Sequence, residues 1–149
     1  MSAPINSLEQ ILTNAASGLS AQTIRMNTIA SNLANAGSIG GSEESTYHTK
    51  YPVFSEVTQS IGGLGSDDQP TGGVRVTGIE QSKKPLEKRY EPSHPLADKN
   101  GFVYATDVNP IAEMTNMIAA SKEYQANVEI MNTTKNMIMQ TLGVINTKS

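Results

Sequence analysis

The chain has 149 residues, 37% of them hydrophobic, with no Trp and no Cys, and a formal net charge of -3. This length is one domain's worth, two at most. The cysteine count excludes disulfides, thiol catalysis and cysteine-ligated metal sites. A mildly acidic chain has no bulk electrostatic case for nucleic acid or anionic lipid. No apolar run approaches the length of a membrane span, and the N-terminus has no basic segment followed by an apolar block.

Charge, Gly and Pro divide the chain into three parts. Residues 1–40 contain only Glu9 and Arg25, whereas residues 41–110 contain ten acids and seven bases. From Gly37 to Pro110 there are ten of the 12 Gly and six of the 7 Pro. This division predicts helices over 1–36 and 109–149 and a module of short strands, turns and loops over 37–108. The expected class is α+β, with the long terminal helices pairing as a coiled coil and a small, irregular β-rich centre.

In the first segment Ile5, Leu12, Leu19, Met26 and Leu33 recur every seventh residue. Leu8, Ala15, Gln22, Ile29 and Ala36 are interleaved with them. A seam sustained over that length favours a coiled coil over the surface helix of a globule. Ser2 or Asn6 is the expected cap and Gly37 the expected stop. Sixteen of the first 40 residues are Ser, Thr, Asn or Gln. An uncharged polar face is cheaper to bury than a charged one, and these residues are weak helix formers. This helix is therefore expected to need packed partners.

The centre shows strand-like alternation at Tyr47, Thr49, Tyr51 and Val53, at Val74 and Val76, at Leu86, Lys88 and Tyr90, and at Phe102 and Tyr104. Gly62-Gly63, Gly72-Gly73 and Asn100-Gly101 are turn signals. Pro92 and Pro95 are expected to hold the stretch around His94 extended.

In the last segment Met114, Ser121, Val128, Lys135 and Leu142 form one row of a second seam, and Met117, Tyr124, Met131, Ile138 and Ile145 the other. Asn109 is the expected cap, followed by Pro110 at the first helical position.

No catalytic constellation can be assembled. His48 and His94 lack a motif partner, Asp67-Asp68 and Glu43-Glu44 read as solvated loop charge, and Gly62-Gly63-Leu64-Gly65 lacks the Lys-Ser/Thr ending of a phosphate loop. Lys83, Lys84, Lys88 and Arg89 read as a solvated strand or loop face, with contact to an acidic surface as the alternative. The reading is no catalytic residues, no cofactor and no metal.

Asn32-Leu33-Ala34-Asn35-Ala36 resembles the NxAN signature that ends the first helix of bacterial flagellar axial proteins. Thr71-Gly72-Gly73-Val74-Arg75-Val76, then Tyr90-Glu91-Pro92 with Pro95-Leu96-Ala97-Asp98, Gly101 and Val103, resemble the central part of the proximal-rod branch of that family. Glu113-Met114 and Tyr124-Gln125-Ala126-Asn127 resemble its C-terminal helix. The four motifs occur in order over nearly the whole chain. Where many axial proteins continue with NTPGY, this chain has Ala36-Gly37-Ser38-Ile39-Gly40-Gly41.

The resemblance implies a structural subunit of the basal-body rod. It implies export by the flagellar type III apparatus without a cleaved signal, and assembly in the periplasm with copies of itself and other rod proteins into a hollow shaft that transmits torque. No nucleic acid and no direct membrane span are expected. The expected assembly interface is Leu8, Leu12, Leu19, Met26, Leu33, Asn32, Asn35, Met117, Tyr124, Gln125, Asn127, Met131, Ile138 and Ile145. The competing readings are a soluble coiled-coil adaptor or secretion chaperone and, more weakly, a small enzyme.

Overall fold

A computed structural model describes residues 3–57 and 72–146. Ser2 as a cap, the Gly62-Gly63 turn, Asp67-Asp68 and Thr71 lie outside the described residues, as do the side chains of Ile5 and Ile145. The elements run α1 (Ala3–Ala34), β1 (Ile39–Gly40), β2 (Lys50–Glu56), β3 (Val74–Gln81), β4 (Glu87–Tyr90), β5 (Phe102–Ala105) and α2 (Pro110–Asn146). This is the α+β class expected from the segregation of Gly and Pro into the centre.

Two small sheets form, one ordered β1-β5-β4 and one pairing β2 with β3. The first is antiparallel, with Ile39 opposite Ala105, Lys88 opposite Tyr104 and Tyr90 opposite Phe102. Around the second, Val57 N–H donates to Gly73 O at 2.9 Å and Ser82 N–H to Thr49 O at 2.7 Å. The alternation read at Tyr47–Val53 becomes a strand only from Lys50, because Tyr47 and Thr49 are engaged by side chains elsewhere.

The chain divides into two compact units. The first comprises 1–23, 54–77 and 121–149, and the second 24–53 and 78–120, so each helix contributes to both. In the first unit Gly18 lies against Asn127, where an added Cβ would come within 2.9 Å of the amide, and Gln22 donates to Glu123. Four residues forward on α1 match four backward on α2, so the helices run antiparallel there. Val103 is the core residue of the second unit, with Leu86, Ala105, Val108 and Ala120 buried in the same unit.

The expected seam is covered on α1, but Ala21, Thr28 and Asn32, which lie outside it, are buried as well. Ala15 and Ile29 are buried, and Leu8, Leu12, Leu19, Gln22, Met26, Leu33 and Ala36 are half-buried. On α2 one expected row is covered, with Met117, Tyr124, Met131 and Ile138 half-buried. The other expected row is covered only in part, with Ser121 and Val128 half-buried. Met114 is 57% exposed, and Lys135 and Leu142 are exposed too. Glu113, Ala120 and Thr134 are buried instead, with Asn127 and Thr141 half-buried. The physical reason is close approach: a face of Ala, Thr and Asn admits the opposing backbone, whereas Met and Leu would hold it away.

Both helix ends depend on Asn. Asn109 Oδ1 accepts from Ile111 N–H at 3.0 Å and Ala112 N–H at 3.2 Å, as expected of a cap. α1 ends at Ala34, short of Gly37, and Gly37 is not in the left-handed region that a glycine stop uses. Asn35 Nδ2 donates instead to Ser31 O at 2.8 Å, satisfying a last-turn carbonyl.

The segment around His94 is not extended. His94 N–H donates to Glu91 O and Ala97 N–H to His94 O, both at 3.0 Å, so two successive turns form. Pro92 and Pro95 supply fixed φ values, which tight turns use as readily as extended chain. The corner closes on Asp98, whose Oδ1 accepts from Asn100 N–H at 2.8 Å and Phe102 N–H at 2.9 Å. Gly101 sits at φ +80, and a Cβ there would meet the Tyr90 ring at 2.9 Å and Pro92 at 3.1 Å. Gly101→Ala combines left-handed strain with this clash. An expected loss of about 2 kcal/mol is checked by a urea titration, and unchanged stability would show that the corner yields freely.

Candidate assembly site

Two of the motif residues, Asn32 and Glu113, meet where α1 ends. Asn32, 1% exposed, points its amide into the second unit. Its Nδ2 donates to Lys50 O at 2.9 Å, while Lys50 N–H donates to its Oδ1 at 2.9 Å. The side chain thus pairs with the first residue of β2 as a neighbouring strand would. Tyr47 Oη also donates to Asn32 Oδ1 at 2.9 Å and lies 3.1 Å from Ser31 Oγ. From the other side, Asn32 Nδ2 donates to Glu113 Oε2 at 2.8 Å. Glu113 Oε1 accepts from Asn116 Nδ2 at 3.3 Å. One buried amide therefore joins α1, the start of β2 and the first turn of α2. A leucine of similar volume would fill the space but leave Lys50 N–H and the Glu113 carboxylate without these partners.

A second clasp lies nearby in the chain. Asp107 Oδ1 accepts from Thr49 N–H at 2.7 Å and Thr49 Oγ1 at 2.9 Å. Burial pushes the Asp107 carboxyl up, but hydrogen bonds from Ser82 and Thr49 and from its own backbone outweigh it and hold the group below the usual carboxylate range. Because the folded value is depressed, its contribution is complete above the unfolded value near about 4 and is lost as pH falls through the folded value. Asp107→Ala is expected to destabilise the chain at pH 7 by about 1 kcal/mol, water screening a half-buried group. The gap between variant and parent should narrow as pH falls below about 4. A gap that widens in acid would reverse the assignment.

In the first unit the glycine motif has a packing role. Gly73 lies against Ser17, where an added Cβ would stand 3.4 Å from Oγ, and Gly72 faces Asn14. Val74 N–H donates to Ser17 Oγ at 3.1 Å. The absence of side chains at 72 and 73 brings the start of β3 onto the polar face of α1.

The structure therefore brings Asn32, Asn35 and the α1 seam into packed positions. It places Met117, Tyr124, Asn127, Met131 and Ile138 on the covered face of α2 and leaves Gln125 exposed. Sequence reasoning missed Tyr47, Glu113 and Asp107 as parts of this site. Glu113 carried a signal, since 113, 120, 127 and 134 recur at sevens, but a carboxylate is seldom chosen for a covered row. Both histidines make local contacts with the backbone. His48 Nε2 is 3.2 Å from Glu43 O, and His94 Nδ1 accepts from Leu96 N–H at 3.1 Å. Among the described residues no three His, Asp or Glu side chains gather as a metal site, and no helix is long and apolar enough to cross a membrane.

Residues 12–37 match the family described as flagella basal body rod protein, and residues 99–144 the C-terminal family of the flagellar basal body rod FlgEFG proteins. The chain is 44% identical over 128 residues to the flagellar basal-body rod protein FlgC of Salmonella typhimurium, covering 86% of this chain and 90% of that one. It is 43% identical over 136 residues to FlgC of Yersinia enterocolitica, covering 91% and 96%. The chain belongs to the flagellar basal-body rod protein family. It is also 33% identical over 141 residues to FlgC of Borreliella burgdorferi, covering 88% and 93%. The two matched segments hold both helix ends of the Asn32–Glu113 contact. The family is a structural, non-enzymatic component of the flagellum.

Proposed function

We propose that this chain is a subunit of the proximal rod, assembling helically with copies of itself and with other rod proteins into a hollow shaft. The carrying observation is the 44% identity to FlgC over most of both chains. In this reading residues 1–36 and 109–149 are axial helices paired as a coiled coil, and residues 37–108 form an outward module. The assembled shaft transmits torque and passes exported flagellar proteins. The subunit itself reaches the periplasm through the flagellar type III export apparatus, without a cleaved signal peptide.

The distribution of exposed apolar side chains supports assembly. Ile111 is 77% exposed, and Met114, Ile118, Ile130, Met137, Leu142 and Val144 stand out along α2. So much apolar surface on one helix is costly in a free monomer and is covered by neighbouring axial helices in a filament. An adaptor or chaperone would close on one partner; a rod subunit makes contacts that continue.

The test is a chromosomal deletion with complementation, followed by isolation of basal bodies. The deletion strain is expected to lack a completed proximal rod and everything built on it, and to be non-motile. Full-length chain should restore swimming and be found in purified basal bodies by mass spectrometry and electron microscopy. Intact rods in the deletion strain, with the chain confined to soluble fractions, would favour the adaptor.

A further inference from the structure

The sheet β1-β5-β4 carries opposite charge at its two edges. At one edge, β1 runs directly into residues 41–46, where Glu43 and Glu44 are exposed and there is no base. At the other edge, β4 carries Lys88 and Arg89, and Lys84 precedes it. Residues 83–89 hold four bases against the single acid Glu87, in a chain whose net charge is -3. Among the described residues, Glu43, Glu44 and Lys84 make no ion pair. Arg89 meets Glu87 at 3.3 Å with both side chains largely in water, and Lys88 lies 5.4 Å over the Tyr104 ring.

Charged side chains on an end strand ordinarily keep copies apart. Here that effect depends on orientation. Two β4 edges repel, and so do two acidic loops, but a β4 edge facing an acidic loop attracts. Symmetric edge pairing is thereby disfavoured and head-to-tail pairing favoured, and a head-to-tail contact continues along a filament.

We propose that the β4 edge of one copy, through Lys88 and Arg89, docks on the 41–46 loop of a second copy, through Glu43 and Glu44. The inference rests on the reading of the chain as an assembling subunit. Solvated ion pairs contribute little affinity, so the contact sets the direction and register of neighbours, while apolar helix contacts hold them together.

Because the chain lacks cysteine, cross-linking is specific. Glu44→Cys and Lys88→Cys variants are made separately, mixed at low salt and oxidised. Disulfide heterodimer is expected at least about tenfold above the homodimer from either variant alone, falling steeply towards 1 M salt as screening shortens. Glu43→Lys with Glu44→Lys should weaken self-association, and so should Lys88→Glu with Arg89→Glu. All four changes in one chain should restore it, because the swap regenerates opposite edges. Homodimers from Glu44→Cys alone, cross-links only to another rod protein, or failure of the swap to restore association would each overturn the proposal. The same cysteine variants are expressed in cells and their basal bodies isolated. Incorporation without cross-linking rejects this contact and leaves the rod assignment standing, whereas absence of wild-type chain from basal bodies rejects the rod assignment itself.

Discussion

Asn32→Ala is expected to lower the stability of the chain by about 3–5 kcal/mol, since it takes one partner from the buried Glu113 carboxylate and the side-chain partner from the N–H and C=O of half-buried Lys50. The amide satisfies both Lys50 N–H and Lys50 O, accepts from Tyr47 and donates to Glu113. Asn32→Asp isolates the hydrogen-bonding role from shape. The isosteric carboxylate still accepts from Lys50 N–H and Tyr47, but it turns an acceptor towards Lys50 O and towards Glu113. It is expected to cost at least as much as alanine at pH 7. Urea midpoints of the two variants decide the matter, read together with hydrogen exchange at Lys50. An aspartate variant as stable as the parent would show that the junction opens to water. Both variants should also fail to enter basal bodies, since the junction holds α1, β2 and α2 together.

Ala120→Glu is the second large effect expected. Ala120 is 0% exposed on the covered face of α2. A glutamate there must bury an unpaired charge or push the helix away from its neighbours. The expected loss is about 3–5 kcal/mol, with Ala120→Leu costing about 1–3 kcal/mol through overpacking alone. Met114→Glu, six residues away on the same helix but exposed, is the internal comparison and should leave the free monomer within about 0.5 kcal/mol of the parent. If the two glutamates behaved alike in the monomer, the row through Glu113, Ala120 and Thr134 would not be the packed one. In basal bodies the distinction reverses its use: Met114→Glu should be folded yet impaired in incorporation if, as proposed, the exposed face of α2 is covered by neighbouring subunits.

These two sites show where sequence was sufficient and where it was not. The α1 seam was legible because large aliphatic residues recur at sevens on a background of Ser, Thr and Asn, so a single face could be apolar. The α2 seam was half legible. Met117, Tyr124, Met131 and Ile138 identify themselves by size, but their companions are Glu113, Ala120, Asn127 and Thr134, while Met114 and Leu142, each one position beyond a covered residue, are exposed. A hydrophobicity pattern prefers the bulky row, and only close approach of an opposing backbone selects the small one.

The central module divides in the same way. Segregated Gly and Pro, alternating residues and the Asn109-Pro110 start are local signals, and local signals determined the class, the order of elements and the second helix's cap. The turns around His94 were not determined locally, because Pro fits extended chain and tight turns alike; the Asp98 side chain and the Tyr90 ring over Gly101 decide between them. The end of α1 likewise needed tertiary information. Gly37 is a stop by composition, yet the helix ends where Asn35 and Asn32 find partners. Family signatures in the sequence marked both asparagines but assigned neither a partner. The partner of Asn32 is Lys50, eighteen residues on, together with Glu113 in the other helix, and residues so far apart in the chain acquire a relation only when folding brings them together.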